Sequence, residues 1–459
     1  MKKTLMIIGA GASGMFSAFS VAGNQFGYKN NLEIMILDAN EAPGKKILMT
    51  GNGRCNLCNI DTDESKYYCS DLQFVKNTLD RFGPDDVITA FQQLGITLKN
   101  KNGYIYPASM QALTVSRTLI SALRILGVTL INNCKVQSIS VTQDSTFCLD
   151  VSENDKRKQY KADYVIVSCG SNAGLKTNAA RELIDSLIDL GHTYHPMIPA
   201  LCSLYADQSD ACYKEFFKKV SGVRTEIKAT LNNHAHTFSS VGELQITDYG
   251  LSGIVIFQIS HIASQFINRQ KKSCVHLSID FLPESDPYEM LEFLKSQIGY
   301  HKKSLLDLLS GVLNAKLALG LINLYSSICD SDTKPFLKNC TDEQLLKILT
   351  FIKNTPFIIK GTNDIYHSQV CSGGIDVSDI SKDTLESNRI KHLYFTGEIL
   401  DVDGICGGYN LQWAWSTGYI AGRSVAGDLS GNIERKSVTN TERGDVKERS
   451  ATNDSNCSD

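Results

Sequence analysis

The apolar positions near the N-terminus fall into two short runs separated by small residues. Residues 5–8 (LMII) are wholly apolar, as in a strand buried on both faces of a parallel sheet, and residues 32–37 form a second run, apolar but for Glu33. Residues 12–21 between them are small or apolar and predict a buried helix, so the three segments make one βαβ unit. Apolar spacing then predicts helices over 74–82, 87–94 and 113–126, with a hairpin in the loop 100–107. Strands are expected at 128–131, 136–141, 147–151 and 164–168. From about residue 195 the texture becomes β-rich, with strands expected at 200–205, 223–231, 242–246 and 275–281 and an apolar helix at 254–266. Helical spacing takes over in 288–298, 304–327 and 342–353, followed by a strand candidate at 357–360. The chain closes with Gly373-Gly374, a strand at 393–396 and a helix over 411–429.

A chain of 459 residues is long enough for two or three domains. Its 46 basic and 49 acidic side chains leave no overall field that would draw it to nucleic acid or membrane, although Lys214–Lys219, Lys271–Lys272 and His301–Lys303 offer local basic patches. Fourteen cysteines are scattered through apolar runs and loops alike, which suits reduced thiols and a cytoplasmic protein. No apolar run approaches the roughly 20 residues of a membrane-spanning helix. The N-terminus has the basic start and apolar stretch of a signal peptide, but three glycines within six residues interrupt it. No metal site is expected, because Cys55, Cys58 and Cys69 have no second C-x-x-C or His pair to join them. The histidines are dispersed, with His234 and His236 expected in an exposed turn, and no G-x-S-x-G elbow supports hydrolase chemistry.

The chemistry lies in the glycine loop after the first strand. Gly9 would allow the tight turn, Gly11 the approach of the backbone to a diphosphate, and Gly14 the close packing of helix on strand. Ala12 and Ser13 open the helix whose N-terminus faces that charge. Asp38, with Ala39 after it, ends the second strand and would accept hydrogen bonds from ribose hydroxyls; a loop at 24–31 absorbs the slightly long spacing. A second cluster runs from Gly44 to Asn56, where Gly51 and Gly53 give a nest-like backbone and Lys45, Lys46 and Arg54 add positive charge toward phosphate or a reduced flavin. A third, residues 393–422 (LYFTGEILDVDGICGGYNLQWAWSTGYIAG), answers the first loop from the far end of the chain. Together they read as two ends of one flavin site.

These segments, with PALCSLYA, GELQITDYGLSG and CSGGI between them, occur in the order of the BaiN/YhiN-like family of FAD-dependent oxidoreductases, which the chain resembles over about residues 3–428. The resemblance implies an α/β fold: a Rossmann-like FAD-binding domain in two segments, 1–192 and 365–429, interrupted by an insert over 193–364. That insert would be β-rich and barrel-like over 193–284 and helical over 285–355, and the polar tail 430–459 is expected to be disordered. By the same resemblance Gly9, Gly11 and Gly14 hold the diphosphate and Asp38 the ribose, Val136 offers backbone contacts to adenine, and Cys169 and Gly170 follow the strand that ends beside the nucleotide. Arg54, Cys55 and Asn56 would line the flavin face as the catalytic candidates. Gly397, Glu398 and Asp403 would lie by the ribityl chain and diphosphate. Gly407, Gly408, Tyr409, Asn410 and Leu411 would bring backbone amides to the pyrimidine edge, where a helix dipole stabilises the charge of reduction. The chain departs from the family pattern at Asp38, at Ser168-Cys169-Gly170, at Asp248 in place of His, and at Cys58 in place of Thr.

The resemblance implies an enzyme that reduces a conjugated C=C bond, either in a small enone or in uridine of ribosomal RNA. NAD(P)H would serve as a transient electron donor without a domain of its own. Amine oxidation is one alternative. A thiol–disulfide reductase using Cys55 and Cys58 is another, weakened by the lack of a second dinucleotide loop. A third is an RNA- or partner-binding protein with structural FAD. Tyr104, Tyr106 and Tyr409 are candidate proton donors, set against simple core packing. Gly250-Leu251-Ser252-Gly253 could direct amides to the site or only turn the chain.

Overall fold

The computed structural model describes residues 2–23, 32–174, 181–233, 236–329, 334, 335, 338 and 340–430. The spacing loop at 24–31, the turn residue His234 and the tail beyond 430 lie outside the described residues.

The N-terminal runs form a five-stranded parallel sheet in the order Leu393–Phe395, Tyr164–Val167, Lys3–Ile8, Leu32–Leu37, Thr129–Ile131. The central strand carries four consecutive buried residues, as a strand covered on both faces must. An antiparallel three-stranded sheet, Cys134–Val141, Phe147–Glu153 and Lys156–Ala162, packs beside it. Its last strand, KRKQYKA, was not expected: it is an exposed edge without an apolar alternation. The helices Leu72–Arg81, Pro84–Gln93 and Ala112–Ile125 fall where the apolar spacing puts them, and the 100–107 loop is indeed a hairpin, Leu98–Lys101 with Tyr104–Pro107.

The insert is a closed six-stranded barrel, in the order Leu204–Ala206, Gly250–Ser252, His236–Ile246, Arg224–Asn233, Val275–Asp280, Thr355–Thr362. Its last strand follows the helices Pro287–Lys295, Leu305–Leu309, Ala315–Ile328 and Asp342–Ile352, and barrel and helices share one apolar core. The single strand expected over 200–205 is two, Tyr194–Ala200 and Leu204–Ala206, because the chain turns at Leu201 with φ 50° on entering the barrel. The single helix expected over 304–327 is also two, the second restarted by Asn314, whose side chain accepts the amides of Lys316 and Leu317. Tyr194–Ala200 pairs antiparallel with Val370–Ile375, so the two passages between insert and parallel sheet form one ribbon.

The long closing helix Tyr409–Leu429 lies on the first helix, Ala12–Gly23. A Cβ at Gly418 would stand 2.6 Å from the Ser13 carbonyl oxygen, and one at Gly422 2.6 Å from that of Ser17. The two helices therefore touch backbone to backbone through a G-x-x-x-G stripe and run in the same direction. Among the described residues no helix is long and apolar enough to cross a membrane.

Candidate cofactor and active site

Each glycine of the first loop can be tested by the space around it. A Cβ on Gly9, which has φ +102°, would meet the Ser168 carbonyl oxygen at 2.5 Å, and one on Gly14 would meet the Gly9 carbonyl oxygen at 2.0 Å. Both are closed to a side chain by the protein itself. A Cβ on Gly11 meets nothing within 4 Å, so its open side is available to a ligand. The first helix has no acidic residue in its first turn, so no side chain of its own offsets its positive end. Asp38 is buried beneath this loop, where it accepts the Ala10 amide at 2.6 Å and the Asn40 amide at 2.7 Å. Its carboxylate thus braces the loop, while Ala39 beside it is exposed. Gly170, half-buried at the end of the neighbouring strand with Cys169, also has open space where a Cβ would be, whereas Val136 is buried in its strand.

The second cluster folds as a five-residue helix, Lys45–Met49, and a tight turn. Gly51, Asn52, Gly53 and Cys55 all take positive φ, between 54° and 78°, giving the nest-like backbone its glycines suggest. Lys45 is exposed, but Lys46 is ion-paired with Glu398, which also accepts the Cys371 amide at 2.9 Å. Neither Lys46 nor Glu398 is therefore a free charge: the pair ties the turn to the ribbon. Arg54 is exposed and its Nε donates to the Gly51 carbonyl at 3.2 Å. Cys55 and Cys58 are fully buried and unbridged, and burial pushes both thiols up to about 12. They stay protonated at neutral pH and lack the thiolate that disulfide exchange needs.

The third cluster packs against the other two. Gly397 (φ +74°) receives the Thr417 hydroxyl as acceptor for its amide at 2.9 Å, and a Cβ there would strike Ser13 Oγ at 2.5 Å. Asn410 pairs both ways with the Gly404 backbone at 2.8 Å, shaping the turn before the helix. Gly408 caps that helix with φ 98°, and a Cβ on it would meet Asn56 Nδ2 at 2.8 Å. Leu411 is half-buried in the first turn, which again holds no acidic residue. Tyr409 is buried with its ring edge-on to Tyr67 and reads as packing. Tyr104 and Tyr106 differ: two residues apart on one strand, they share a face, with Tyr104 bordering Gly407 and Tyr106 bordering Gly51. Burial raises the Tyr106 phenol and the nearby Arg54 opposes that shift. The Gly250–Gly253 segment serves the barrel instead, since Cβ atoms at its two glycines would hit backbone at 2.2 and 2.5 Å. Asp248 is exposed in the turn before it.

Three buried side-chain oxygens in these converging loops, Asn56 Oδ1, Thr396 Oγ1 and Asp403 Oδ1, have no hydrogen-bond partner among the described residues. A polar atom left so costs about 1–3 kcal/mol, so the cluster suits a polar ligand rich in hydroxyls and amides. Asp403 also meets His261 of the insert, a histidine the dispersed pattern did not single out. Gln258, one turn earlier, pairs with the Cys406 backbone at 3.0 and 3.2 Å. Among the described residues no group of three His, Cys, Asp or Glu side chains is placed to hold a metal.

The family described as HI0933-like protein Rossmann domain matches residues 3–424. The chain belongs to the HI0933-like family. Within the sequences similar to this HI0933-like chain is the 3-dehydro-bile acid delta(4,6)-reductase of Clostridium scindens, 37% identical over 92% of this chain and 98% of that one. The ribosomal RNA dihydrouridine synthase of Haemophilus influenzae is 28% identical over 92% of this chain and 98% of its own length. Among solved structures, 3-ketosteroid delta1-dehydrogenase from Sterolibacterium denitrificans is 12% identical, with 93% of this chain and 100% of that one covered and a TM-score of 0.50, which speaks to the fold alone. The HI0933-like chain is thus an oxidoreductase of the flavoprotein type.

Proposed function

We propose that this chain binds FAD and reduces a C=C bond conjugated to a carbonyl, with NADH or NADPH as transient electron donor. The observation that carries the reading is the alignment of two helix N-termini with no acidic residue in their first turns. Gly418 lies on the start of the first helix, and Tyr409 opens the closing helix nine residues earlier. The second positive end therefore stands about 14 Å beyond the first along a shared direction. A diphosphate at one and the pyrimidine edge of a flavin at the other suit two such ends. The relative at 37% identity, named for reduction at delta(4,6), supports the bond type.

When bound and reduced, FAD supplies hydride. The chain's own residues do the rest. Gly11 and the amides of Ala12 and Ser13 face the diphosphate, Asp38 braces that loop beside the ribose, and Val136, Cys169 and Gly170 border the adenosine. Arg54 and Asn56 would line the ring face, Cys55, fully buried, would only support that turn, and the amides of Gly407 through Leu411 would meet the pyrimidine edge. Tyr104 or Tyr106 would protonate the α-carbon, the ring of the first bordering Gly407 and that of the second bordering Gly51.

Uridine in ribosomal RNA is the second reading, favoured by the relatives named for that reaction. No finding favours amine oxidation. To test the proposal, FAD-loaded protein is reduced anaerobically by NADH or NADPH and mixed with a 3-oxo-Δ4 steroid acid or an unmodified ribosomal RNA fragment. Reoxidation of the flavin by the steroid acid supports the reading. Reoxidation by RNA alone replaces it with the second, and absence of bound FAD removes both.

A further inference from the structure

We infer that His261, on the helix Ile254–Ser264 of the insert, is a positioning residue for the cofactor: it turns the Asp403 carboxylate so that one oxygen is held by protein and the other is free for a hydroxyl of the ribityl chain. The inference rests on FAD being the cofactor and deepens that reading.

The two side chains come from different parts of the molecule, 142 residues apart, and meet at 2.8 Å between Nδ1 and Oδ2. Both are almost fully buried, with side-chain exposures of 6% and 2%. A carboxylate only accepts, so Nδ1 carries the hydrogen. On the far side of the ring Nε2 faces the Gln265 amide at 3.5 Å, and that amide also donates to Ser372 Oγ at 3.0 Å. Gln265 therefore closes the far edge of the ring while Nδ1 meets the carboxylate. Tyr68 then locks the ring plane. It is the cross-strand neighbour of Asp403 and stacks on His261 at 3.6 Å and 7°.

This arrangement satisfies Asp403 Oδ2 and leaves Oδ1 buried without a partner among the described residues. An orphaned carboxylate oxygen in a buried site calls for a donor, and Asp403 lies between Glu398 and the Gly407 turn, where the polyol stretch of FAD would pass. Gln258 and His261 lie one turn apart on this helix and Gln265 follows as its C-cap, so the three fall at i, i+3 and i+7 along one side. The insert thereby contributes to the cofactor site, and its docking fixes the direction of Asp403.

The test measures FAD affinity of the apoprotein by flavin fluorescence for wild type, His261→Ala, His261→Asn, Asp403→Asn and the double variant His261→Ala/Asp403→Asn. Asn can put its amide where Nδ1–H stands. Expected are a loss of about tenfold or more for His261→Ala, the scale of one charge-assisted hydrogen bond, and an affinity near wild type for His261→Asn. The double variant should bind no more weakly than Asp403→Asn, because His261 acts through Asp403. Unchanged affinity in His261→Ala, or additive losses in the double variant, overturns the inference and leaves the FAD reading intact. If His261→Ala fails to fold by circular dichroism, His261→Asn decides: weak binding by a folded His261→Asn overturns it too. Wild type that takes up no FAD overturns the cofactor reading, and the inference with it.

Discussion

Replacing Gly11 by Ala and Gly14 by Ala separates what the first loop does for the ligand from what it does for the fold. Both are single methyl additions to glycines of one motif. At Gly14 the new Cβ would lie 2.0 Å from the Gly9 carbonyl oxygen, a backbone atom with no room to yield. Overpacking of that kind costs about 1–3 kcal/mol or more, and the apoprotein should lose stability by at least that. At Gly11 the new Cβ meets no protein atom within 4 Å, and its φ is not in the left-handed region. There the change in the unfolded chain dominates, and apoprotein stability should hold or rise by about 0.4–1 kcal/mol. The ligand sees the opposite order. A methyl in the open space before the first helix would push a diphosphate away at a similar overpacking cost, which is roughly 5- to 150-fold in dissociation constant. The assay is chemical denaturation of the FAD-free variants alongside FAD titration followed by flavin fluorescence. Gly11→Ala that binds FAD as wild type does would refute the placement of the diphosphate. Gly11→Ala that destabilises the apoprotein would refute the reading of Gly11 as a ligand position rather than a packing one.

Other variants probe the remaining parts of the site. Lys46→Met should destabilise by about 1–2 kcal/mol, between the limits for surface and buried pairs, and Lys46→Met/Glu398→Gln should recover part of that in a double-mutant cycle; full additivity in denaturant titrations would show the pair is not coupled. Tyr106→Phe should leave reduction of bound FAD by NAD(P)H unchanged while slowing its reoxidation by enone and removing part of the solvent isotope effect; a matching rate would shift the role to Tyr104. The Cys55 thiol is held protonated up to about 12 in the folded chain against 9.0 in an unfolded one, so its ionisation favours unfolding as pH rises above 9. Cys55→Ala should accordingly soften the alkaline loss of stability between those values, and Cys55 should resist iodoacetamide at pH 8 while exposed Cys329 reacts, as peptide mapping would report.

How far the sequence could be read depended on range. The parallel strands announce themselves because burial on both faces leaves apolar runs at Leu5–Ile8 and Ile34–Leu37, and Gly9 and Gly14 of the first loop because backbone crowding tolerates nothing else. The edge strand Lys156–Ala162 is silent because it is exposed. Lys46 looked like a free cation because its partner Glu398 lies 352 residues away, and His261 looked incidental because Asp403 lies on the far side of the insert. Such cross-links take up most of the polar groups of the site: Lys46 with Glu398, His261 with Asp403, Gln258 with Cys406, Asn410 with Gly404. The groups left for a ligand are then few and of two kinds. The buried orphans Asn56 Oδ1, Thr396 Oγ1 and Asp403 Oδ1 suit a cofactor. The rim is set by exposed side chains, Leu48 at 38%, Met49 at 55% and Tyr104 at 38%, with Arg54 and Lys45 as its charges. Exposed apolar side chains here suit a conjugated ketone on a flat apolar frame, whereas a phosphate backbone would ask for a row of unpaired cations. Met49→Lys therefore offers a direct contrast. It should weaken an enone acid's KM contribution from apolar contact and strengthen any binding of RNA, and the reverse pattern in competition titrations would move the substrate assignment to RNA.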